Sequence, residues 1–216
     1  MKLKGDSGLF KRFIASQLRK PFGWSIGWIM LGRLNHWNRE MNRKSLATME
    51  IQGSERVLEL GCGGGELLGM VADKISTGKV IGVDWSPLAI RFCKYKLSRF
   101  INQGKLDLIC QNAEHIPLPA NSIDCICTVN TVYFWDQPEA VFAECSRILK
   151  SGGRIVLCNS VLSELSSEDY PPEYFRSHAV EEVTHRLRAL GFSKPVVHYD
   201  QDDHAKFYTL NATLET

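Results

Sequence analysis

The sequence has no CxxC, no HExxH and no paired Cys/His spacing. A structural or catalytic zinc site therefore has no ligand set to build on. The six histidines are scattered and form no cluster. The seven cysteines are odd in number, and Cys110, Cys125, Cys127 and Cys158 lie inside apolar runs. Buried free thiols in a reducing compartment are expected rather than a disulfide framework. The early apolar run "PFGWSIGWIML" falls short of the roughly 20 residues a membrane span needs. No secretory signal is visible, so the expected location is cytoplasmic. Internal repeats and low-complexity segments are also missing.

The 216 residues suffice for one well-buried domain with room for a small appendage, and 44% hydrophobic with 23% charged residues is ordinary globular composition. The net charge of +2 is unevenly spread. Residues 1–44 hold ten Lys/Arg against two Asp/Glu, a net of +8 that leaves −6 on the remainder. In "FKRFIASQL", Phe10, Phe13, Ile14 and Leu18 share one helical face. A basic amphipathic segment fits peripheral contact with a membrane surface or an anionic ligand. The commoner reading of such a face is a helix that packs its apolar side on the domain and solvates its charges.

From residue 54 onward short apolar runs alternate with helix-period segments. The strand candidates are 56–60, 79–83, 106–110, 124–129, 154–159, 195–199 and 206–210. The first five are continuous and apolar, as parallel strands covered on both faces must be. Helices are expected over 66–75, 86–100 and 138–149, and near Val180–Leu190 with Gly191 as its stop. Ser86 and Pro87 supply an N-cap and a first-turn proline. The last two strands are joined by a connection too short for a crossover, which makes them antiparallel. The alternation βαβαβαβαβαβ with a closing hairpin predicts an α/β, doubly wound, Rossmann-like, seven-stranded sheet, mostly parallel. A helical N-terminal extension or lid is expected over 1–53, with the ligand-binding domain over 54–216. Ligand belongs at the carboxyl ends of the strands, near the switch point.

The strongest local signal is "VLELGCGGGELLG", a strand, a glycine loop and a helix. A dinucleotide G-x-G-x-x-G would need glycine at 66, where Glu66 stands, and an acid under a pyrophosphate repels it. G-K-[ST] is missing as well. The pattern is acidic-x-G-x-G-x-G, with Glu59 two residues before Gly61. The second strand ends in "VIGVDWSP". Asp84 there can accept from both hydroxyls of an adenosine ribose, and Trp85 can cover the adenine face. Helix capping is the plain alternative for Asp84, although Ser86 already fills that role. Asn112, after the third strand, can reach the adenine amino group with the Ala113 N–H on a ring nitrogen, or be an ordinary turn asparagine.

"LELGCGGG", "GVDWSP", "NAEHIPLPANSID" and "RILKSGGRIVL", in this order and spacing, resemble the class I S-adenosylmethionine-dependent methyltransferases. More narrowly they are similar to the branch with ubiquinone/menaquinone biosynthesis C-methyltransferases and related small-molecule methyltransferases. The resemblance spans about residues 50–160. It implies S-adenosyl-L-methionine as methyl donor and S-adenosyl-L-homocysteine as product. It places Glu59 near the donor's amino end and Gly61, Cys62 and Gly63, within the motif that Gly65 closes, along the methionine portion. Asp84 would hold the ribose with Trp85 near the adenine, Asn112 and Ala113 the adenine edge, and Asn130 the methionine end. The family more often has Asp at the position of Asn112.

The acceptor side is expected to draw on "GRLNHWNREMN", with Asn35, Trp37, Asn38 and Asn42, on Tyr133 and Trp135, and on a lid over 160–177. His36, Tyr133 and His115 are the candidates for a general base, which matters only if the attacking atom is protonated. No metal is expected. Three functions follow: methyl transfer to a small, aromatic or lipophilic acceptor; methyl transfer to a nucleic acid or protein; and cofactor binding without catalysis. Amino-group DNA methyltransferases of this class carry [DN]-P-P-[YFW] where this chain has Asn130-Thr131-Val132-Tyr133, and the net charge gives no broad nucleic-acid footprint. The intact glycine loop and Asp84 weigh against the third.

Overall fold

A computed structural model describes residues 8–162, 171 and 173–215, without the side chains of Phe10 and Trp24. Residues 163–170 and 172 of the expected lid lie outside the described residues. The seven strands are β1 (Arg56–Leu60), β2 (Lys79–Asp84), β3 (Leu106–Cys110), β4 (Ile123–Val129), β5 (Leu149–Ser160), β6 (Val196–Gln201) and β7 (Lys206–Thr213). They form one sheet in the order β3-β2-β1-β4-β5-β7-β6. Strands β1 to β5 pair in parallel, whereas β7 runs antiparallel to both β5 and β6. This is the expected mostly parallel sheet with a closing hairpin.

Pleating sends alternate side chains to opposite faces, and both faces are covered. On one face Leu58, Leu60, Ile126 and Leu157 meet Phe142, Cys145 and Ile148 of α7 (Pro138–Ile148) and Val183 and Leu187 of α8 (Val180–Ala189). On the other, Val57, Cys125, Cys127 and Val156 meet Leu67, Leu68 and Val71 of α4 (Glu66–Lys74). Met41 and Met49 of α3 (Arg39–Met49) join that second cluster. Six cysteines are buried and all seven are free. Cys110 departs from expectation: it ends the edge strand β3 and is exposed.

Two connections differ from the sequence-based expectation. The segment 86–100 is two helices, α5 (Pro87–Lys96) and α6 (Ser98–Asn102). Leu97 leaves helical geometry at φ −109°, ψ 19°, and the restart lets both Leu97 and Phe100 enter the core. The link from β3 to β4 contains no helix, so the full alternation of strand and helix is broken there. Ile116 anchors that link in the core. Its N–H donates to Glu144 Oε1 at 2.7 Å, and Arg147 donates to the carbonyls of Ile116 and Leu118.

The N-terminal segment holds α1 (Gly8–Arg19), a π-helical turn (Gly23–Gly27), α2 (Trp28–Trp37) and α3. On α1, Phe13, Ile14 and Leu18 are partly buried and Ala15 is fully buried. The amphipathic face of α1 is thus turned toward the protein. No helix among the described residues is long and apolar enough to cross a membrane.

Candidate functional site

The sheet order reverses direction between β1 and β4, and a cleft opens at the carboxyl ends of β1, β2 and β4. The glycine loop forms its floor. Gly61 N and Cys62 N both donate to Val83 O, at 2.8 and 3.2 Å, which ties the loop to the end of β2. Gly61 has φ +68°, and a Cβ there would collide with the Thr131 methyl. The residue type is therefore dictated twice, by backbone conformation and by space. Gly63 differs: a Cβ there would meet nothing closer than 3.9 Å, so its backbone borders open space within the cleft. Gly65 does not line the cleft. A Cβ on it would lie 2.8 Å from Cys93 Sγ, so its small size serves the packing of α4 on α5.

Asp84, at the end of β2, is 7% exposed and uses both carboxylate oxygens. Gly63 N donates to Oδ2 at 2.9 Å and Ser86 N to Oδ1 at 2.8 Å. Burial raises its pKa, while those two N–H groups and the Lys20 charge oppose the rise. Each oxygen keeps a second acceptor site. Ser86 caps α5 as expected, accepting from Ala89 N at 3.3 Å, and it donates to Pro21 O at 3.0 Å. Trp85 lines the cleft, but its Nε1 donates to Arg19 O at 3.0 Å and Lys20 Nζ sits 4.6 Å from its ring centroid. It thereby fastens the end of α1 beside the cleft.

Glu59 is the most unusual group. It shares with Val57 the face of β1 that α4 covers, is 5% exposed, and borders the cleft. Its Oε2 is buried with no hydrogen-bond partner among the described residues. Burial, then the nearby Cys93 and Asp84, push its pKa well above the usual carboxylate range, against the Leu68 N–H. A buried acceptor of this kind costs free energy until a donor reaches it. The fit to a ligand with a cationic amino group and a ribose diol is direct: an orphaned carboxylate oxygen, an open glycine backbone and a second carboxylate border one cleft.

Asn130 directly follows β4, in the left-handed region at φ +56°. Its Nδ2 donates to Asn38 Oδ1 at 2.9 Å, and its Oδ1 accepts from Ser160 N at 2.9 Å. Asn130 borders the cleft, with its amide committed to joining the α2–α3 junction to the ends of β4 and β5. Asn35 Nδ2 donates to Gly64 O at 2.9 Å, a second tie from α2 to the glycine loop. Asn112 and Ala113 line the cleft, and Asn112 Oδ1 accepts from Glu114 N at 3.3 Å in a local turn.

The remaining wall is aromatic. Tyr133, on a 3-10 turn (Val132–Phe134), packs against Phe134 with centroids 4.5 Å apart and against Phe175 at 5.4 Å. Trp135 touches the cleft but belongs to the core, edge-on to Phe142 at 5.3 Å. Trp37 and Asn42 also line the cleft. His36 and His115 are exposed and lie outside its lining. The helical turn that points Leu34, Asn35, Trp37 and Asn38 inward leaves His36 outward. Sequence reading missed Arg19 and the β6–β7 turn, where Asp202, His204 and Ala205 reach the cleft, and included Phe175 only within the lid expected over 160–177. None of these sits in a local motif.

Residues 58–157 match the family described as a methyltransferase domain. Aklanonic acid methyltransferase DauC of Streptomyces sp. (strain C5) is 30% identical over 135 residues, 62% of this chain and 61% of DauC. Demethylmenaquinone methyltransferase of Lactiplantibacillus plantarum is 28% identical over 149 residues, 66% of this chain and 57% of that one. The chain spans about half the length of the curated relatives it matches. The crystal structure of a SAM-dependent methyltransferase from Aquifex aeolicus superposes with a TM-score of 0.68 at 19% identity, over 87% of this chain and 98% of that one. That likeness carries the fold.

Proposed function

We propose that this chain transfers the methyl group of S-adenosyl-L-methionine to a small aromatic or lipophilic acceptor, leaving S-adenosyl-L-homocysteine. The observation that carries the reading is the buried, orphaned Glu59 oxygen beside an open glycine loop and Asp84. In this reading residues 54–216 bind the donor and the N-terminal residues 1–53 close over it. Glu59 takes the donor's ammonium group, which relieves its desolvation and draws its pKa back down. Asp84 accepts from the ribose hydroxyls with the free acceptor sites of its two oxygens. Asn112, Ala113 and Trp85 border the adenine. Asn130 acts indirectly, holding Asn38 and the α2–α3 junction at the methionine end.

The bound sulfonium supplies a methyl group that is already activated, so the chain's task is alignment. In-line attack requires reacting atoms about 3–3.5 Å apart. Tyr133, Phe134 and Phe175 present an aromatic wall to the acceptor, and the buried Asn42 amide offers it a polar contact. The relatives named for aklanonic acid and demethylmenaquinone methylation, both acting on small molecules, support that acceptor class. The test is incubation with methyl-labelled S-adenosylmethionine and cell extract, followed by separation into small-molecule, lipid and macromolecular fractions. Label is expected in organic-soluble small molecules. Label confined to protein or nucleic acid overturns the acceptor assignment.

A further inference from the structure

Seven large hydrophobic side chains are prominently exposed among the described residues. Five of them lie in the N-terminal segment or on α5: Leu9, Phe22, Ile26, Ile29 and Tyr95. Phe22, Ile26 and Ile29 follow one another at spacings of four and three along the π-helical turn and the start of α2, with exposures of 54%, 50% and 61%. Helix α2 packs directly on α5: Trp28 meets Phe92 at 4.7 Å and Tyr95 at 5.9 Å. Tyr95 and the isoleucines are thus on neighbouring helices, and all are fixed by the helices that carry them.

The chain segments that carry them hold charge of one sign, with Arg12, Arg19, Lys96 and Arg99 paired to carboxylates from elsewhere in the chain. From Ser7 to Arg39 the sequence holds six Lys/Arg and no Asp or Glu. From Trp85 to Leu106, which includes α5, it holds five Lys/Arg and again no Asp or Glu. Arg33, Arg91 and Lys94 are exposed and make no ion pair among the described residues. A shallow groove lined by Lys20, Phe22, Leu88 and Arg91 runs between the two helical elements. Protruding aliphatic side chains flanked by unpaired cations match an anionic lipid surface on both counts. The apolar side chains enter the boundary between headgroups and acyl chains, and the cations stay at headgroup level. A nucleic acid would meet the cations but gives protruding isoleucines no apolar phase to enter.

We propose that the face formed by the π-helical turn, α2 and α5 docks on an anionic membrane surface. The acidic remainder of the chain then faces away, which fixes the orientation. Residues Leu18, Arg19 and Pro21, next to this face, also line the cleft, so docking brings the cleft mouth near the bilayer. A lipophilic molecule dissolved in the bilayer would have a short path to it. The docking itself does not depend on which reaction the cleft performs.

The test is co-sedimentation of the full chain with vesicles of phosphatidylcholine alone and of phosphatidylcholine with phosphatidylglycerol. Binding is expected only to the anionic vesicles, weakening as salt rises. Ile26→Ser/Ile29→Ser and Arg91→Glu/Lys94→Glu are each expected to lower that binding at least about tenfold. All four side chains are exposed, so the circular dichroism and thermal midpoint of both variants should match the parent. Three results overturn the proposal: equal binding to neutral vesicles, variants that bind like the parent, or an RNA oligonucleotide that binds through these residues while vesicles do not.

Discussion

The two ends of the cleft are built from different material. The end at β1 and β2 is mostly backbone: Gly61 and Cys62 hang from Val83 O, Gly63 is held by Asp84, and few side chains intervene. All of it lies within 26 consecutive residues, Glu59 to Asp84. The far end is made of side chains from separate stretches of chain: Trp37 and Asn42, Tyr133 to Trp135, Phe175, and the β6–β7 turn. A backbone site tolerates almost no change, since each hydrogen bond fixes several others. A side-chain wall can be rebuilt residue by residue while the sheet beneath it stands. A donor-binding end held constant and an acceptor end open to variation is what that difference permits. Affinity for S-adenosylmethionine, measured by calorimetry, separates the two ends.

The largest effect is expected at Gly61. In Gly61→Val a β-branched residue must adopt φ +68° while its Cβ overlaps the Thr131 methyl. Strain and overpacking together should cost about 2–4 kcal/mol of stability. Binding should fall below detection, and urea unfolding should show the lowered midpoint. A variant that binds normally would mean the loop is not the floor of the donor site. Asp84→Ala comes next, with an expected loss of about 1–3 kcal/mol in donor affinity from its charged hydrogen bonds. Because Asp84 also holds Gly63 N and Ser86 N, some stability goes with it. Asp84→Asn keeps an acceptor and should fall between. Unchanged affinity in both would remove Asp84 from the ribose.

The same contrast explains what the sequence disclosed. Strand order, the hairpin, the Ser86 cap and the floor of the cleft rest on short-range patterns: apolar runs, a serine before a proline, glycines after a strand. Gly65 shows the limit of a motif, since its glycine is required by Cys93 of α5 rather than by the cleft. Arg19 and the β6–β7 turn, which reach the site through tertiary packing, left no such mark. Phe175 is placed by ring contacts with Tyr133 and Phe134, and His204 by a turn more than sixty residues from Tyr133 in sequence. Of the two readings that periodicity allows for α1, the helix takes the inward one and spends its apolar side on the protein. The exposed apolar patch sits instead on α2, the π-helical turn and α5, where only solvent exposure distinguishes Ile26 and Ile29 from core residues.

Glu59→Gln tests the one charged group at the backbone end that has no internal partner for Oε2. A carboxyl whose pKa is raised on folding gives stability that is fully present below its unfolded pKa, near 4.3. That stability is lost as pH climbs toward the folded pKa. The contribution of Glu59 to the stability of the unliganded protein should therefore fall as pH rises above about 4.3, and the glutamine variant should lack that part of the pH dependence. Donor binding should behave in the opposite sense. An ammonium group needs the ionised carboxylate, so binding releases a proton and affinity rises with pH until the unliganded carboxyl is fully ionised. Calorimetry in two buffers of different ionisation enthalpy reads the released proton. Its persistence in Glu59→Gln would place the ammonium group elsewhere.

The smallest effect on donor affinity is expected at Tyr133, in the side-chain wall. Tyr133→Ala removes a ring that packs on Phe134 and Phe175 but leaves the backbone carbonyl that accepts from Arg176 N at 2.9 Å. The glycine loop and both carboxylates are untouched, so donor affinity should change by less than about threefold, under 1 kcal/mol. Turnover of the acceptor found in the labelling experiment should fall by more than tenfold. An acceptor that has lost one face of its wall samples misaligned geometries, and in-line transfer is sensitive to alignment. Tyr133→Phe separates ring from hydroxyl. If the ring alone positions the acceptor, phenylalanine restores turnover and leaves its pH profile unchanged. If phenylalanine is as poor as alanine, the hydroxyl contacts the acceptor or its proton. Equal losses of affinity and turnover in Tyr133→Ala would mean that the two ends of the cleft are one mechanical unit, and that the residue is structural.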